Sequence, residues 1–302
     1  MRQNGWNSRK HWKKPVNKQR LSQAISMNKP ATLSIVGCGK VGQTLGRLWQ
    51  EHHAVEVQDI LNRSVASGMD AAAFIGAGKV ASNYKALRPA DIFLVAAPDD
   101  QIVACCEALA NAACLSTNSI VFHCSGALSS SILQAASAHG AAIASIHPIR
   151  SFAVPEKIIH DFAGTYCGAE GDQRALDILT PLFTAIGAQL VTIKSEEKIL
   201  YHAAAVFASN YLVTLLDTAV QTYAQAGIPQ DLALKMMASL VRETTGNALE
   251  VGPELALTGP IARNDIATVF KQYRAVNDVN PAHGSLYRQL GRLTARLARR
   301  RQ

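Results

Sequence analysis

Ile35-Val36-Gly37-Cys38-Gly39-Lys40-Val41-Gly42 is a G-x-G-x-x-G stretch that directly follows a β-rich run, Thr32 to Val36, and opens a helix reaching about His53. Each glycine has a physical reading. Gly37 lets the chain turn sharply, Gly39 removes the Cβ that would block close approach of a pyrophosphate, and Gly42 permits tight packing of helix on strand. Backbone N–H groups at the helix start, around Lys40 and Val41, face the anion. A glycine turn that only packs would not require strand, spacing and helix together, so the stretch reads as a dinucleotide-binding turn.

The end of the next strand selects the nucleotide, because an acid there accepts hydrogen bonds from a ribose 2′-OH whereas a cation accommodates a 2′-phosphate. Asn62-Arg63-Ser64 lie 25 to 27 positions after Gly37, where the ribose-reading residue is expected, and they offer an amide, a guanidinium and a hydroxyl with no carboxylate. Asp59 competes, but it sits three positions earlier and inside the strand. The fork-to-phosphate match of Arg63 favours NADP over NAD; the bland reading of Arg63 is a solvated loop charge. Farther on, Ala96-Ala97-Pro98-Asp99-Asp100 ends another strong strand. Backbone at Ala97, Pro98 and Asp99 is expected along the nicotinamide ribose, which is compatible with a plain turn and an Asp helix cap.

From residue 32 to about 193, short β-rich runs alternate with Ala-rich helical stretches, the pattern of parallel βαβ units. Strands are expected near Thr32–Val36, Glu56–Leu61, Lys79–Ala81, Asp91–Ala96, Ser119–His123, Ala141–Ile146, Thr165–Gly168 and Gln189–Ile193. After Ile193 no β-like run follows and helical periodicity dominates. The fold class is therefore α/β: a doubly wound Rossmann domain over 27–193, then an all-α C-terminal domain over 194–302. One helical pattern runs from Glu196 to Ala226, closed by Gly227 and Pro229, and another from Gln230 to Glu250, closed by Gly252 and Pro253. The first would be about 45 Å long, too long for a small monomeric domain to cover its apolar face. A homodimer through this helix is the expectation.

A nicotinamide would supply the hydride, leaving the protein to supply a proton donor or acceptor, a polarising group and a substrate pocket. His123-Cys124-Ser125-Gly126 and Ser145-Ile146-His147-Pro148 end strands, and strand ends of this architecture face the ligand crevice. Ser125 and His147 are candidates for substrate contact; His123 reads first as a structural imidazole bonded to backbone carbonyls. Lys198, Tyr201 and His202 open the long helix, where Lys198 and His202 share a face with Ser209 near the same line. A desolvated Lys198 would have a lowered pKa and could move a proton near neutrality. Its bland alternative is a surface charge paired with Glu196 or Glu197. The cluster Leu257 to Asp265, with Gly259-Pro260, Arg263 and Asp265, reads either as an anion-holding helix start or as plain surface.

The chain has 302 residues, 48% hydrophobic and 17% charged, which excludes a disordered chain and a small disulfide scaffold. The net charge of +8 resides at the ends: residues 1–30 hold eight cations and no acid, 288–301 hold six Arg, and 31–287 hold 16 cations against 22 acids. An acidic body argues against nucleic acid as partner, although the Arg-rich tail could touch polyanions. No apolar run reaches the roughly 18 residues of a membrane span. Residues 1–26 lack the apolar core of a secretory signal and read as a disordered or spurious leader, with Met27 as an alternative start. Six cysteines without a C-x-x-C pair suit buried thiols in a reducing compartment, and the cytoplasm is the default.

Taken together, Gly37–Gly42, Asn62–Ser64, Ala97–Asp99, His123–Gly126, His147-Pro148 with Ser151-Phe152, Lys198–Asn210 and Leu257–Asp265 resemble the two-domain Rossmann-like oxidoreductases with a helical C-terminal domain of unknown function. These are relatives of pyrroline-5-carboxylate reductase, ketopantoate reductase and the 6-phosphogluconate dehydrogenase superfamily. The likeness spans about residues 30–280. It implies an NADP-binding N-terminal domain, a dimerising helical C-terminal domain and a substrate cleft between them. Asn62-Arg63-Ser64 is similar to the 2′-phosphate loop of the phosphogluconate group, Ser125-Gly126 to its substrate-contacting Ser-Gly, and Lys198 to its helix Lys. In that group an Asn follows the Lys four residues later, whereas here His202 stands there, which leaves the proton donor open between Lys198 and His202. His147-Pro148 is similar to the His-Pro of prephenate dehydrogenases.

The function expected from these residues is NADP-dependent hydride transfer to or from a small carboxylate-bearing imine, ketone or alcohol, with Ser125 and His147 holding the substrate and Lys198 or His202 moving the proton. A non-catalytic NADP-binding regulatory or scaffold protein is the alternative.

Overall fold

The computed structural model describes residues 30–300, so the expected leader at 1–26 lies outside the described residues. The chain forms two compact units that divide after Ala203.

The first unit is built on β1 (Ala31–Val36), β2 (Val55–Leu61), β3 (Lys79–Val80), β4 (Ile92–Val95), β5 (Ile120–His123), β6 (Ala142–Pro148), β7 (Tyr166–Gly171) and β8 (Gln189–Thr192). They form one sheet in the order β3-β2-β1-β4-β5-β6-β7-β8. Its helices are α1 (Lys40–Glu51), α2 (Val65–Ile75), α3 (Ile102–Ala110), α4 (Gln134–Ala138), α5 (Pro155–Asp161), α6 (Gln173–Ala185) and the start of α7 (Lys198–Ala208). Ile92 and Leu94 of β4 join the core on one face with Leu33, Ile35 and Phe122, while Phe93 and Val95 join the other with Val36 and Val121. Burial on both faces is why β4 reads as an unbroken apolar run. Trp49 of α1 packs edge-on to Phe183 of α6, ring centroids 5.1 Å apart, and its indole N–H donates to the Leu182 carbonyl at 2.9 Å.

The order reverses between β1 and β4, so the chain segments leaving these two neighbours part there, as in doubly wound folds. All expected strands are present. One orientation differs from the parallel expectation: β7 runs antiparallel to β6 and parallel to β8. The link from β6 to β7 contains only the seven-residue α5, which packs on α1. That link returns the chain at the same end of the sheet, whereas a parallel partner would require a crossover.

The helical stretch expected as one piece from Glu196 to Ala226 is interrupted. A 3₁₀ turn at Ser195–Glu197 precedes α7, and Ser209, with φ −121° and ψ −73°, separates α7 from α8 (Asn210–Gln225). Contrary to the expectation that no segment qualifies, Ser195–Gln225 is long and apolar enough to cross a membrane by length and composition alone. Its many Ala, Val and Leu residues outweigh the isolated polar ones. Ile199, Leu200, Phe207 and Val213 on it are exposed. The second unit continues with α9 (Gln230–Val251), α10 (Pro253–Ala256), α11 (Ile266–Val279) and α12 (Pro281–Arg300). Asp265 caps α11 by accepting from the Thr268 amide at 3.1 Å, so the start of that helix already holds a carboxylate of its own chain.

Candidate functional site

The glycine turn joins β1 to α1 at the point of reversal. Gly37 has φ +73°, and a Cβ on it would stand 2.8 Å from the Ala97 backbone, so both conformation and contact demand glycine. A Cβ on Gly39 would meet nothing nearer than the Gly37 carbonyl at 4.0 Å, which leaves its outer side open. A Cβ on Gly42 would press on Ala96, Cys38 and Ile35 at 3.2 Å, so this glycine sets the approach of helix to sheet. The three positions thus divide into turn, open face and packing, the division a pyrophosphate cradle needs. Cys38 between them is buried, and burial pushes its thiol up to about 12.

The other cofactor candidates have separable placements. Asn62 Oδ1 accepts from the Cys38 amide at 2.6 Å while its Nδ2 donates to the Ser67 carbonyl at 2.9 Å, so Asn62 braces the turn and its side chain is committed there. Ser64 caps α2 through the Ser67 amide. Arg63 is exposed and makes no hydrogen bond or ion pair among the described residues. Asp59 is 2% exposed and held by Arg88 at 2.7 Å, inside β2 and away from the strand end. Lys40 Nζ donates to the Ala153 carbonyl at 2.7 Å, and Val41 packs against the core. Ala97 abuts Gly37, and Pro98 leads into the 3₁₀ turn that carries Asp99.

The second cluster is laid out by strand register. His123 of β5 pairs with Ser145 of β6, and Ser145 with Glu170 of β7; two residues along, His147 pairs with Gly168. Directly opposed residues share a sheet face, so His123, Ser145 and Glu170 form a polar row inside an otherwise apolar sheet. Lys198 lies over this row at 1% exposure. Its Nζ donates to Ser145 Oγ at 2.6 Å and to the Ser125 carbonyl at 2.9 Å, and stands 3.8 Å from Glu170 Oε1. Glu170, 3% exposed, also accepts from the Ser130 amide and hydroxyl, each at 2.7 Å, and from Ser195 Oγ at 2.9 Å. Burial lowers the Lys198 pKa, and the Glu170 carboxylate opposes that shift. Lys198 therefore occupies neither a surface ion pair with Glu196 or Glu197 nor an open cleft.

Ser125 sits in the same knot with its hydroxyl fully used. It donates to Asp99 Oδ2 at 2.8 Å and accepts from the amides of Ala127 and Leu128. His123, fully buried, accepts the Ser125 amide on Nδ1, which places its proton on Nε2 toward the Ser129 carbonyl at 3.2 Å. Burial, reinforced by the Lys198 charge, pushes His123 down to about 4.

At the rim, His147 Nδ1 lies 3.1 Å from Tyr201 Oη, and the ring of His202 stands edge-on with centroids 5.6 Å apart. Two glycines make the room. A Cβ on Gly168 would fall 2.6 Å from Tyr201 Oη, and one on Gly126 would fall 2.3 Å from His202 Nδ1 and 2.9 Å from His147 Nε2. His202 Nδ1 is buried with no hydrogen-bond partner among the described residues. Burial, then the His202 and Lys198 charges, push His147 down to about 4, and burial pushes Tyr201 up to about 12.

Residues 19–148 match the model of a Rossmann-like domain, and residues 165–294 match that of a Domain of unknown function (DUF2520). The chain joins a Rossmann-like domain to a DUF2520 domain. The second cluster draws on both: His123, Ser125 and His147 from the Rossmann-like match, Glu170, Lys198, Tyr201 and His202 from DUF2520. Among similar solved structures is a Thermotoga maritima protein at 28% identity, TM-score 0.70, covering 88% of this chain and 98% of that one. A Bacteroides fragilis protein described as an NADP oxidoreductase is 19% identical, TM-score 0.72, with the same 88% and 98% coverage. The pyrroline carboxylate reductase of Plasmodium falciparum, solved with NADP bound, is 11% identical, TM-score 0.57, covering 89% and 98%. No curated protein matches the chain.

Glu170 and Gly168 are site residues that sequence reading did not single out, while Ser145 and Tyr201 stood in candidate segments without a role of their own. Glu170 lies near the end of β7, beyond the stretch expected as strand, and neither it nor Gly168 had a local signal.

Proposed function

We propose that the chain is an NADP-dependent oxidoreductase that moves a hydride between NADP(H) and a small carboxylate-bearing imine, ketone or alcohol. The observation that carries this is the three-way division of labour at Gly37, Gly39 and Gly42, with an unpartnered Arg63 just beyond β2. The glycine turn would hold the pyrophosphate, Arg63 the 2′-phosphate, and the Ala97–Asp99 backbone the nicotinamide ribose. When bound, the nicotinamide supplies the hydride. Similarity to a protein described as an NADP oxidoreductase and to a pyrroline carboxylate reductase with NADP bound supports the same reading.

The chain's own residues supply the rest. Lys198 and Glu170 fix the Ser125 loop and the end of β6, and His147 and His202 present ring nitrogens at the rim of that knot. The exposed apolar side chains of α7 and α8 support a homodimer as the working form, checked by a light-scattering mass of two chains; a mass of one chain refutes it.

The test of function is calorimetry with NADPH and NADH, followed by NADPH oxidation against cyclic imine carboxylates and 2-keto acids. Tight NADPH binding with turnover of one member is expected. Preference for NADH refutes the Arg63 assignment, and binding without any turnover favours a nucleotide-binding protein that does no chemistry.

A further inference from the structure

Three groups are left over once the cofactor cradle and the Lys198 knot are accounted for: the His147 imidazole, the Tyr201 phenol and the orphaned Nδ1 of His202. They converge. His147 Nε2 and His202 Nδ1 both lie within 3 Å of the point where a Gly126 Cβ would be, and Tyr201 Oη touches the opposite nitrogen of His147 at 3.1 Å. Lys198 Nζ donates to Ser145 Oγ and the Ser125 carbonyl and stands 3.8 Å from Glu170 Oε1. These contacts all lie inside the knot.

We propose that Tyr201 and His147 form a proton relay, Tyr201 O–H to Nδ1 and Nε2–H outward, that delivers a proton to the heteroatom of the substrate C=O or C=N, with His202 Nδ1 as a second polar contact to the same group. This rests on the oxidoreductase reading. As the substrate carbon gains the hydride, the π electrons settle on the heteroatom. The Nε2–H bond of His147 then breaks and a heteroatom–H bond forms, while the Tyr201 O–H bond breaks and Nδ1–H forms. The imidazole ends neutral as the other tautomer; in the reset the Nδ1 proton returns to the phenolate and Nε2 takes a proton from water, which restores the starting tautomer. His147 is the catalytic group, Tyr201 a positioning group acting through it, and Lys198 holds the loop under both.

The charged and titratable groups facing His147 are Tyr201 and His202 on α7, Lys198 on the same helix, and Asp99 after β4. With His147 down at about 4 and Tyr201 up at about 12, both relay members are neutral across the working range. The relay thus predicts a kcat that is flat from pH 6 to 9. A donating lysine or histidinium would instead make kcat fall as its own proton is lost.

The experiment uses the full chain with ¹⁵N-labelled histidine. Long-range proton–nitrogen spectra of the free protein should show His147 as the Nε2–H tautomer, with Nδ1 shifted by an accepted hydrogen bond that disappears in Tyr201→Phe. An Nδ1–H tautomer in the wild-type chain overturns the relay, whatever the activity. With NADPH and the substrate found in the panel above, Tyr201→Phe should lower kcat roughly 10- to 100-fold with KM within about twofold, and His147→Asn should lower kcat by on the order of 10² to 10⁴. Unchanged kcat in Tyr201→Phe, or a kcat that falls through neutrality in the wild type, also overturns it. Silence of the whole panel with NADPH bound would instead refute the oxidoreductase reading, and the tautomer spectrum still decides the dyad.

Discussion

Replacing Lys198 by Met tests the polar row most directly, because Met keeps most of the volume and removes the charge. Glu170 would lose the cation at 3.8 Å but keep the Ser130 amide, the Ser130 hydroxyl and the Ser195 hydroxyl as donors. Ser145 Oγ and the Ser125 carbonyl would lose a donor at 2.6 and 2.9 Å. Breaking a buried ion pair from one side costs about 3–5 kcal/mol. Since three hydrogen bonds still hold the carboxylate, the lower end applies, about 3 kcal/mol. For a unit of this size that is a fall in Tm of roughly 6–12 °C. Calorimetry of Lys198→Met, Glu170→Gln and the double variant would measure it. The double variant should lose clearly less than the sum of the singles, because it leaves no unpaired charge inside. A fall below about 2 °C in Lys198→Met would show that the ammonium contributes little, and the positioning role of Lys198 would go with it.

Gly37→Ala puts a Cβ 2.8 Å from the Ala97 backbone at φ +73°, so a stability loss of at least about 2 kcal/mol in urea melts and a loss of NADPH binding of 100-fold or more are expected. Arg63→Ala should raise the NADPH Kd by roughly 10- to 100-fold, the value of charged hydrogen bonds, and leave the NADH Kd within about threefold; equal losses for both would place Arg63 elsewhere. His123, pushed down to about 4, stays neutral in the fold while an unfolded imidazole protonates near 6.5, so its contribution is full above that pH and is lost as pH falls toward 4. Urea melts at pH 7 and 4.5 should differ by about 2 kcal/mol more in the wild type than in His123→Gln.

The fold was largely legible because its signals are local. A strand buried on both faces must be apolar throughout, as Ile92–Val95 is, and a turn with φ +73° against a neighbouring backbone requires glycine at that place. What could not be read depends on distant partners. Glu170 and Lys198 are 28 positions apart, and only the register of β6 on β7 reveals that they share one buried knot. Without that register, Lys198 reads either as a desolvated acid or as a surface charge. Asn62 was read only as part of the ribose-reading loop; that it also braces the glycine turn, through the 2.6 Å contact with the Cys38 amide, depends on a partner 24 positions away. The break at Ser209 carries no local signal either, since Ser is an ordinary residue within a helix.

The reversal of β7 is what gives the edge of the sheet its chemistry. Because β7 runs against β6, Glu170 comes to stand opposite Ser145 and Gly168 opposite His147. Lys198 and Tyr201, three apart and on the same side of α7, then meet these two pairs in turn, the ammonium over Ser145 and Glu170, the phenol beside His147 over the bare Gly168. A one-residue slip of β7 would turn Glu170 to the other face and bring a side chain under Tyr201, removing the buried countercharge and the tyrosine–histidine contact together. Both contacts therefore depend on one strand register, and any change that shifts it should disturb the stability of the knot and the state of His147 at once.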